Sequence, residues 1–307
     1  MFTANRGRLT LIGVVAVGAV VALAGCASGD PLAEPSSSAG GSTIVVGSQA
    51  YYSNEIIAEI YSQALEAGGF TVDRQFQIGQ REVYLPDIEA GKIDVFPEYT
   101  GSLLQALDKA AVGGTSDATY AELQTALPDD LRVLDQAGAS DQNSWTVTAD
   151  FASKYDLTDI ASLTNVTEPI TVGGNSELET RPYGPTALKD KYGISIAGFV
   201  PVEDSGGPLT VKALVDGDIQ LANIYTADPN IKTNNLVALS DPDGLFFPDN
   251  VVPVVSQKID DSAAAILNKV SAALTADTLV DLNAQSKNDQ LSADKIATAW
   301  LTKAKLI

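Results

Sequence analysis

The chain has 307 residues, of which 45% are hydrophobic and 19% charged, and a formal net charge of -20. That length predicts about two domains with enough apolar residues for packed cores, and the acidity argues against nucleic acid or an anionic membrane surface as a partner. There is no His and one Cys, which excludes a Ser-His-Asp triad, a Cys-His dyad, a His-ligated zinc site and an internal disulfide, and with them much enzyme chemistry.

The first segment reads as a leader. Arg6 and Arg8 make a positive start, and residues 9–24 are a run of 16 rich in Ala, Val and Gly. That run is shorter than a spanning helix needs and fits the apolar core of a signal peptide over residues 1–25. It ends in Leu23-Ala24-Gly25-Cys26, which resembles the lipobox of bacterial lipoproteins. The resemblance implies cleavage before Cys26 and lipidation of its sulfur. Residues 26–42 are dominated by small residues, Pro, Gly and Ser, without apolar periodicity, and read as a flexible tether. No later stretch is apolar for 18 residues. The folded body is therefore expected outside the cytoplasmic membrane, anchored at its N-terminus.

The body repeats one plan. Ile44-Val45-Val46-Gly47 is a β-branched run ending in Gly, a buried-strand signal. Residues 54–68 follow with Ile56, Ile57, Ile60, Tyr61, Ala64 and Leu65 at helical spacing, and Gly68-Gly69 stops the helix. Residues 70–78 read as a second strand. At an offset of 126 residues, Ile170-Thr171-Val172-Gly173 matches the first strand, a weaker helix surrounds Leu188, and residues 194–200 are strand-like. At the same offset Gly91-Lys92-Ile93, running to Tyr99-Thr100, parallels Gly217-Asp218-Ile219, running to Tyr225-Thr226. Strands alternating with helices predict α/β lobes with mainly parallel sheets.

Residues 143–148 look like a strand crossing between lobes, and Val251-Val252-Pro253-Val254-Val255 looks like one returning. The first lobe is then 43–144 plus 251–307, and the second is 145–250. Helices are expected over 262–274, 275–285 and from 291 to the end. Two lobes joined by crossing strands enclose a cleft at the carboxyl ends of their strands. Tyr99-Thr100 and Tyr225-Thr226 occupy equivalent strand ends, so the two tyrosines are expected to face each other across it, and Trp145 adds an aromatic near the hinge. Opposed aromatic faces suit a quaternary ammonium, which gains roughly 0.5–2 kcal/mol per ring and cannot hydrogen-bond. Arg181, in a loop after the strand over 170–173, is placed either to hold a ligand carboxylate or to pair with Glu177 or Glu179.

Several motifs follow one another in order: Gly47-Ser48, Glu55-Ile56-Ile57-Ala58-Glu59-Ile60-Tyr61, Gly79-Gln80-Arg81-Glu82-Val83, and Pro97-Glu98-Tyr99-Thr100-Gly101. Arg181-Pro182, Tyr225-Thr226-Ala227-Asp228, Phe246-Phe247-Pro248 and Pro253-Val254-Val255 continue the series. Over about residues 43–307 the chain resembles the substrate-binding proteins of osmoprotectant ABC importers, which bind glycine betaine, choline, carnitine and related quaternary amines. The resemblance implies a two-lobed periplasmic-binding-protein fold of type II and a hinge motion that closes on the ligand. It implies a monomer without cofactor or catalytic activity that delivers its solute to the transmembrane subunits of a permease. By position it assigns Tyr99, Trp145 and Tyr225 to the ammonium cage and Arg181 to the ligand carboxylate. Ser102, Asn143, Gln49 and Thr226 are assigned to the polar lining.

Two positions depart from the family pattern. Gln49 stands where a Lys is common, and Asp249-Asn250 follows Phe246-Phe247-Pro248 where a cage Tyr is usual. Tyr51, Tyr52 or another aromatic is the candidate replacement. The departures leave open a receptor for another amino acid or zwitterion. A secreted hydrolase or transferase using Asp94 and Glu98 is the reading from a different class. Asp241-Pro242-Asp243-Gly244 has half the acidic ligands of a calcium loop and reads as a turn. Asn165-Val166-Thr167 matches a glycosylation acceptor too short to use.

Overall fold

The structure is a computed structural model that describes residues 43–307. The expected leader, Cys26 and the tether lie outside the described residues. Among the described residues no helix is long and apolar enough to cross a membrane.

The strands are β1 (Ile44–Gly47), β2 (Val72–Gln75), β3 (Val95–Tyr99), β4 (Leu131–Val133) and β5 (Asn143–Thr148), then β6 (Ile170–Gly174), β7 (Ile196–Pro201), β8 (Leu221–Tyr225), β9 (Leu236–Ala238) and β10 (Val251–Ser256). They form two five-stranded sheets, ordered β2-β1-β3-β10-β4 and β7-β6-β8-β5-β9. In each sheet the fourth strand arrives from the other lobe. Because β10 and β5 run back against their neighbours, they pair antiparallel with β3 and β4 and with β8 and β9. The other pairings are parallel. The sheets are therefore mixed in their pairings: in each, four strands run the same way, as the βαβ pattern predicts, and only the crossing strand runs against them.

The repeat is built into the backbone. Val46 pairs with Val95 and Val172 with Leu221, the same register at an offset of 126 residues. Gly91 and Gly217 both take positive φ, 67° and 82°, where the chain turns out of a helix toward β3 or β8. A Cβ on Gly47 would lie 2.8 Å from the Phe96 ring and one on Gly173 2.3 Å from the Ile219 side chain, so at both positions a side chain would crowd the segment that forms or leads into the neighbouring strand.

Apolar spacing in helix Tyr52–Ala67 buries Ile56, Ile57, Ile60, Tyr61, Ala64 and Leu65 against the first sheet and the tail helices Asp261–Ala273, Ala276–Lys287 and Ala293–Ala304. The opposite face of that sheet carries Tyr84 stacked on Phe96 at 4.2 Å, with Leu103, Leu104, Leu123 and Val254. The second sheet is covered on one face by Trp145, Val147, Leu163 and Val172 and on the other by Val211, Leu214, Ile219 and Ile224.

The chain passes between sheets near residues 140–142, where Asp141 N–H donates to Asp249 O at 3.2 Å. Asn143 and Ser144 already pair with β8, two residues before the expected boundary at 144/145. On the return, Phe246 packs in the core of the second lobe and Phe247 against that of the first. A third contact lies beside these crossings. Ala227, just past β8, joins the first-lobe core, its carbonyl accepts from Asn283 Nδ2 at 3.1 Å, and Asp228 accepts from Tyr52 Oη at 3.2 Å.

Candidate functional site

Tyr99 ends β3 and pairs with Val251, the first residue of β10; Tyr225 ends β8 and pairs with Asn143, the first residue of β5. Both tyrosines thus stand where a crossing strand enters, and both line one interlobe cavity of about 600 Å³, counting its open mouth. Tyr51 and Tyr183 line it too. The Tyr51 ring lies 4.8 Å from that of Tyr225 and 4.9 Å, edge-on, from that of Tyr52. Burial, reinforced by Asp141, raises the Tyr51 and Tyr99 phenols above their ordinary range, and burial does the same for Tyr225. All three stay protonated and neutral.

The remaining wall is polar. Tyr51 Oη donates to Asp141 Oδ2 at 3.0 Å, and Ala227 N–H donates to Asp141 Oδ1 at 2.9 Å. Burial, with Asp228 and Asp249 adding and those two donors opposing, pushes the Asp141 carboxyl up to about 7. Asp249 accepts from Ser102 N–H at 2.7 Å and from Ser102 Oγ at 2.5 Å, closing the first turn of helix Thr100–Leu107 from outside. Burial pushes it to about 6 against those bonds and the charge of Arg81. Asn143 Nδ2 reaches Ser102 Oγ at 3.5 Å. Gln49 lines the cavity, and its buried Nε2 and the buried Tyr99 Oη have no hydrogen-bond partner among the described residues.

Two guanidinium groups face the cavity, and each is held by a carboxylate. Arg81 Nε and Nη2 donate to Glu98 Oε1 and Oε2, both at 2.9 Å. Glu98 also accepts from Tyr84 Oη at 2.6 Å and from Tyr99 N–H at 2.9 Å. Burial works against the Arg81 charge, but Glu98 outweighs it and holds its pKa above the ordinary value. Arg181 Nη1 pairs with Glu82 Oε1 at 2.8 Å and Nη2 with Oε2 at 3.2 Å. Its partner is therefore on the opposite lobe, rather than the neighbouring Glu177 or Glu179. Gln80 Nε2 donates to Ser205 Oγ at 3.2 Å and makes a second bridge across the cleft.

Of the residues expected to line the site, Gln49, Tyr99, Ser102, Asn143, Arg181 and Tyr225 do. Trp145 does not. It is fully buried in the second-lobe core, 6.4 Å from the Phe246 ring. It shares a strand face with Asn143, but two residues carry it about 6.8 Å along the strand and away from the cleft. Thr226 does not line the cavity either: its N–H donates to Gln142 O at 2.9 Å and its Oγ1 accepts from Gln142 N–H at 3.0 Å, fastening the crossing.

The residues that sequence reasoning missed are chiefly Tyr183, Asp141 and Asp249 as lining groups, with Asn175 and Glu177 at the rim. Tyr183 is two residues past Arg181, and Asp141 two before Asn143. Adjacency to a residue already singled out was the available signal. Asp94 and Glu98 do not form a reactive pair. Asp94 accepts from Val45 N–H and Ser256 Oγ and pairs with Lys258, while Glu98 is spent on Arg81 and Tyr84. Residues 242–243 form a turn, and Asp241 is engaged by Phe246 N–H at 2.7 Å.

Residues 42–303 match the OpuAC family, described as the substrate binding domain of an ABC-type glycine betaine transport system. The chain belongs to this family. It is 26% identical over 274 residues to the glycine betaine-binding protein YehZ of Escherichia coli, covering 85% of this chain and 90% of that one. It is 24% identical over 270 residues to the carnitine transport binding protein OpuCC of Listeria monocytogenes, covering 85% and 86%. A crystal structure described as a glycine betaine/carnitine/choline ABC transporter superposes with a TM-score of 0.70 at 19% identity, covering 86% of this chain and 99% of the other. That likeness carries the two-lobed periplasmic-binding-protein fold. As an OpuAC member the chain is the solute-binding component of an extracytoplasmic import system, not an enzyme by family.

Proposed function

We propose that the cavity takes a small quaternary ammonium solute, with Tyr51, Tyr99, Tyr183 and Tyr225 around the methylated nitrogen. The observation that carries this reading is the convergence of neutral phenol rings from both lobes on one cavity, with Tyr51 and Tyr225 in contact at 4.8 Å. Such rings attract a cation by their faces and demand no hydrogen bond from it. The names of YehZ and OpuCC, glycine betaine and carnitine binding proteins, support the same class of solute. The chain acts as a monomer, closes by hinge motion at the two crossings, and hands the solute to permease subunits. Cys26 carries a lipid that anchors the chain outside the cytoplasmic membrane. Changing Cys26 to Ala is expected to release the protein from the membrane fraction.

Titration calorimetry with glycine betaine, choline, carnitine and proline betaine tests the ligand class. Micromolar binding of at least one is expected. A primary-amine amino acid binding more tightly than all four would overturn the assignment in favour of another zwitterion.

A further inference from the structure

The charges around the cavity are unequal. Asp141 and Asp249 line it at 2% and 3% exposure, and half-buried Glu177 stands at the rim. None of the three has a Lys or Arg within salt-bridge distance among the described residues, whereas both lining guanidinium groups are already neutralised by paired carboxylates, Glu98 and Glu82. Each oxygen of Asp141 and Asp249 accepts one hydrogen bond from the protein, and a carboxylate oxygen has a second lone pair to offer. Gln49 Nε2 and Tyr99 Oη are buried, line the same cavity and are unpartnered. They supply neutral donors for an oxygen atom.

Resting on the quaternary ammonium reading above, we propose that this cavity selects a solute of net positive charge bearing a neutral oxygen, a quaternary ammonium alcohol of the choline type, over one that ends in a carboxylate. A cation restores an opposite charge to carboxylates that have none. A ligand carboxylate would meet like charges at close range in a partly desolvated site, with both arginines spent. A ligand hydroxyl accepts from Gln49 Nε2 and donates to either Asp141 or Asp249. Burial already holds both carboxyls above their ordinary range.

The test uses the full chain in mild detergent, titrated at pH 7.5 with choline and with glycine betaine, which share the trimethylammonium group. Choline is expected to bind at least tenfold more tightly. Glycine betaine binding as tightly or more tightly overturns this inference while leaving the quaternary ammonium reading intact. Binding of neither, by protein whose circular dichroism is that of a folded α/β chain, overturns both. Asp249→Asn and Asp141→Asn supply the second arm: each is expected to weaken choline more than tenfold and to weaken glycine betaine by less. An equal loss for both ligands in variants that remain folded overturns the charge assignment, and the wild-type comparison decides alone if the variants do not fold.

Discussion

Tyr99 and Tyr225 stand at the ends of strands built alike, yet what holds each one differs. The scaffolding around them is repeated to the level of single hydrogen bonds. Asp94 Oδ2 accepts from Val45 N–H at 3.0 Å, and Gln220 Oε1, at the offset of 126 residues, accepts from Thr171 N–H at 3.0 Å. One residue before each tyrosine the likeness ends. Glu98 is fully buried and bound to Arg81, while its counterpart Ile224 is fully buried in an apolar core. The backbone plan thus decides where the tyrosines stand, and the flanking side chain decides whether the support is ionic or apolar. The first lobe uses a buried charge network; the second uses hydrophobic packing.

The largest expected effect breaks that contrast directly. Arg81→Ala strands a buried Glu98 and is expected to cost about 3–5 kcal/mol in denaturant unfolding, whereas Ile224→Val costs about 0.5–1.5 kcal/mol. Equal losses at the two positions would remove the distinction.

Next comes pH, acting on the crossings where the lobes join. Asp141, facing Tyr51, Asp228 and Asp249, and Asp249, facing Ser102, Arg81 and Glu98, have carboxyls raised to about 7 and about 6. The folded chain therefore binds these protons more tightly than the unfolded chain does. The stability this contributes is complete below about pH 4 and is lost as pH rises through 6 and 7. Ligand-free protein is expected to be on the order of 3 kcal/mol more stable at pH 5 than at pH 7.5. Asp249→Asn should flatten part of that slope; a melting temperature independent of pH across this window contradicts the account.

A smaller effect separates cage from core. Tyr225→Ala is expected to weaken binding of the tightest ligand by about 1–3 kcal/mol. Trp145→Phe should leave the dissociation constant within about twofold, since Trp145 packs away from the cavity. Calorimetry on both variants checks this, and a loss confined to the Trp145 variant would return Trp145 to the cage. The smallest effect is at the mouth. Glu82 is 59% exposed at its side chain, so removing its bridge to Arg181 with Glu82→Ala should change stability by less than about 1 kcal/mol.

The body's elements were legible because their signals are local. The expected helix over 54–68 forms as Tyr52–Ala67, the strand over 143–148 as Asn143–Thr148, and the returning strand as Val251–Ser256. Trp145 was misplaced for a physical reason. A strand's alternation tells which face a side chain takes, but not how far along the strand the cleft ends and the core begins. Asp249 was legible only as a departure from a pattern. That it caps helix Thr100–Leu107 and lines the cavity depends on a contact between residues 147 positions apart.

By itself the sequence determined the α/β class, the repeat, the two crossings and the equivalence of Tyr99 and Tyr225, because periodicity, Gly punctuation and spacing act over a few tens of residues. Only the tertiary structure decided which aromatics meet, that both arginines are engaged, and that buried Asp141 and Asp249 face the cavity. Those outcomes depend on which distant surfaces exclude water from one another, and burial, more than residue type, sets what a charge or a ring can do.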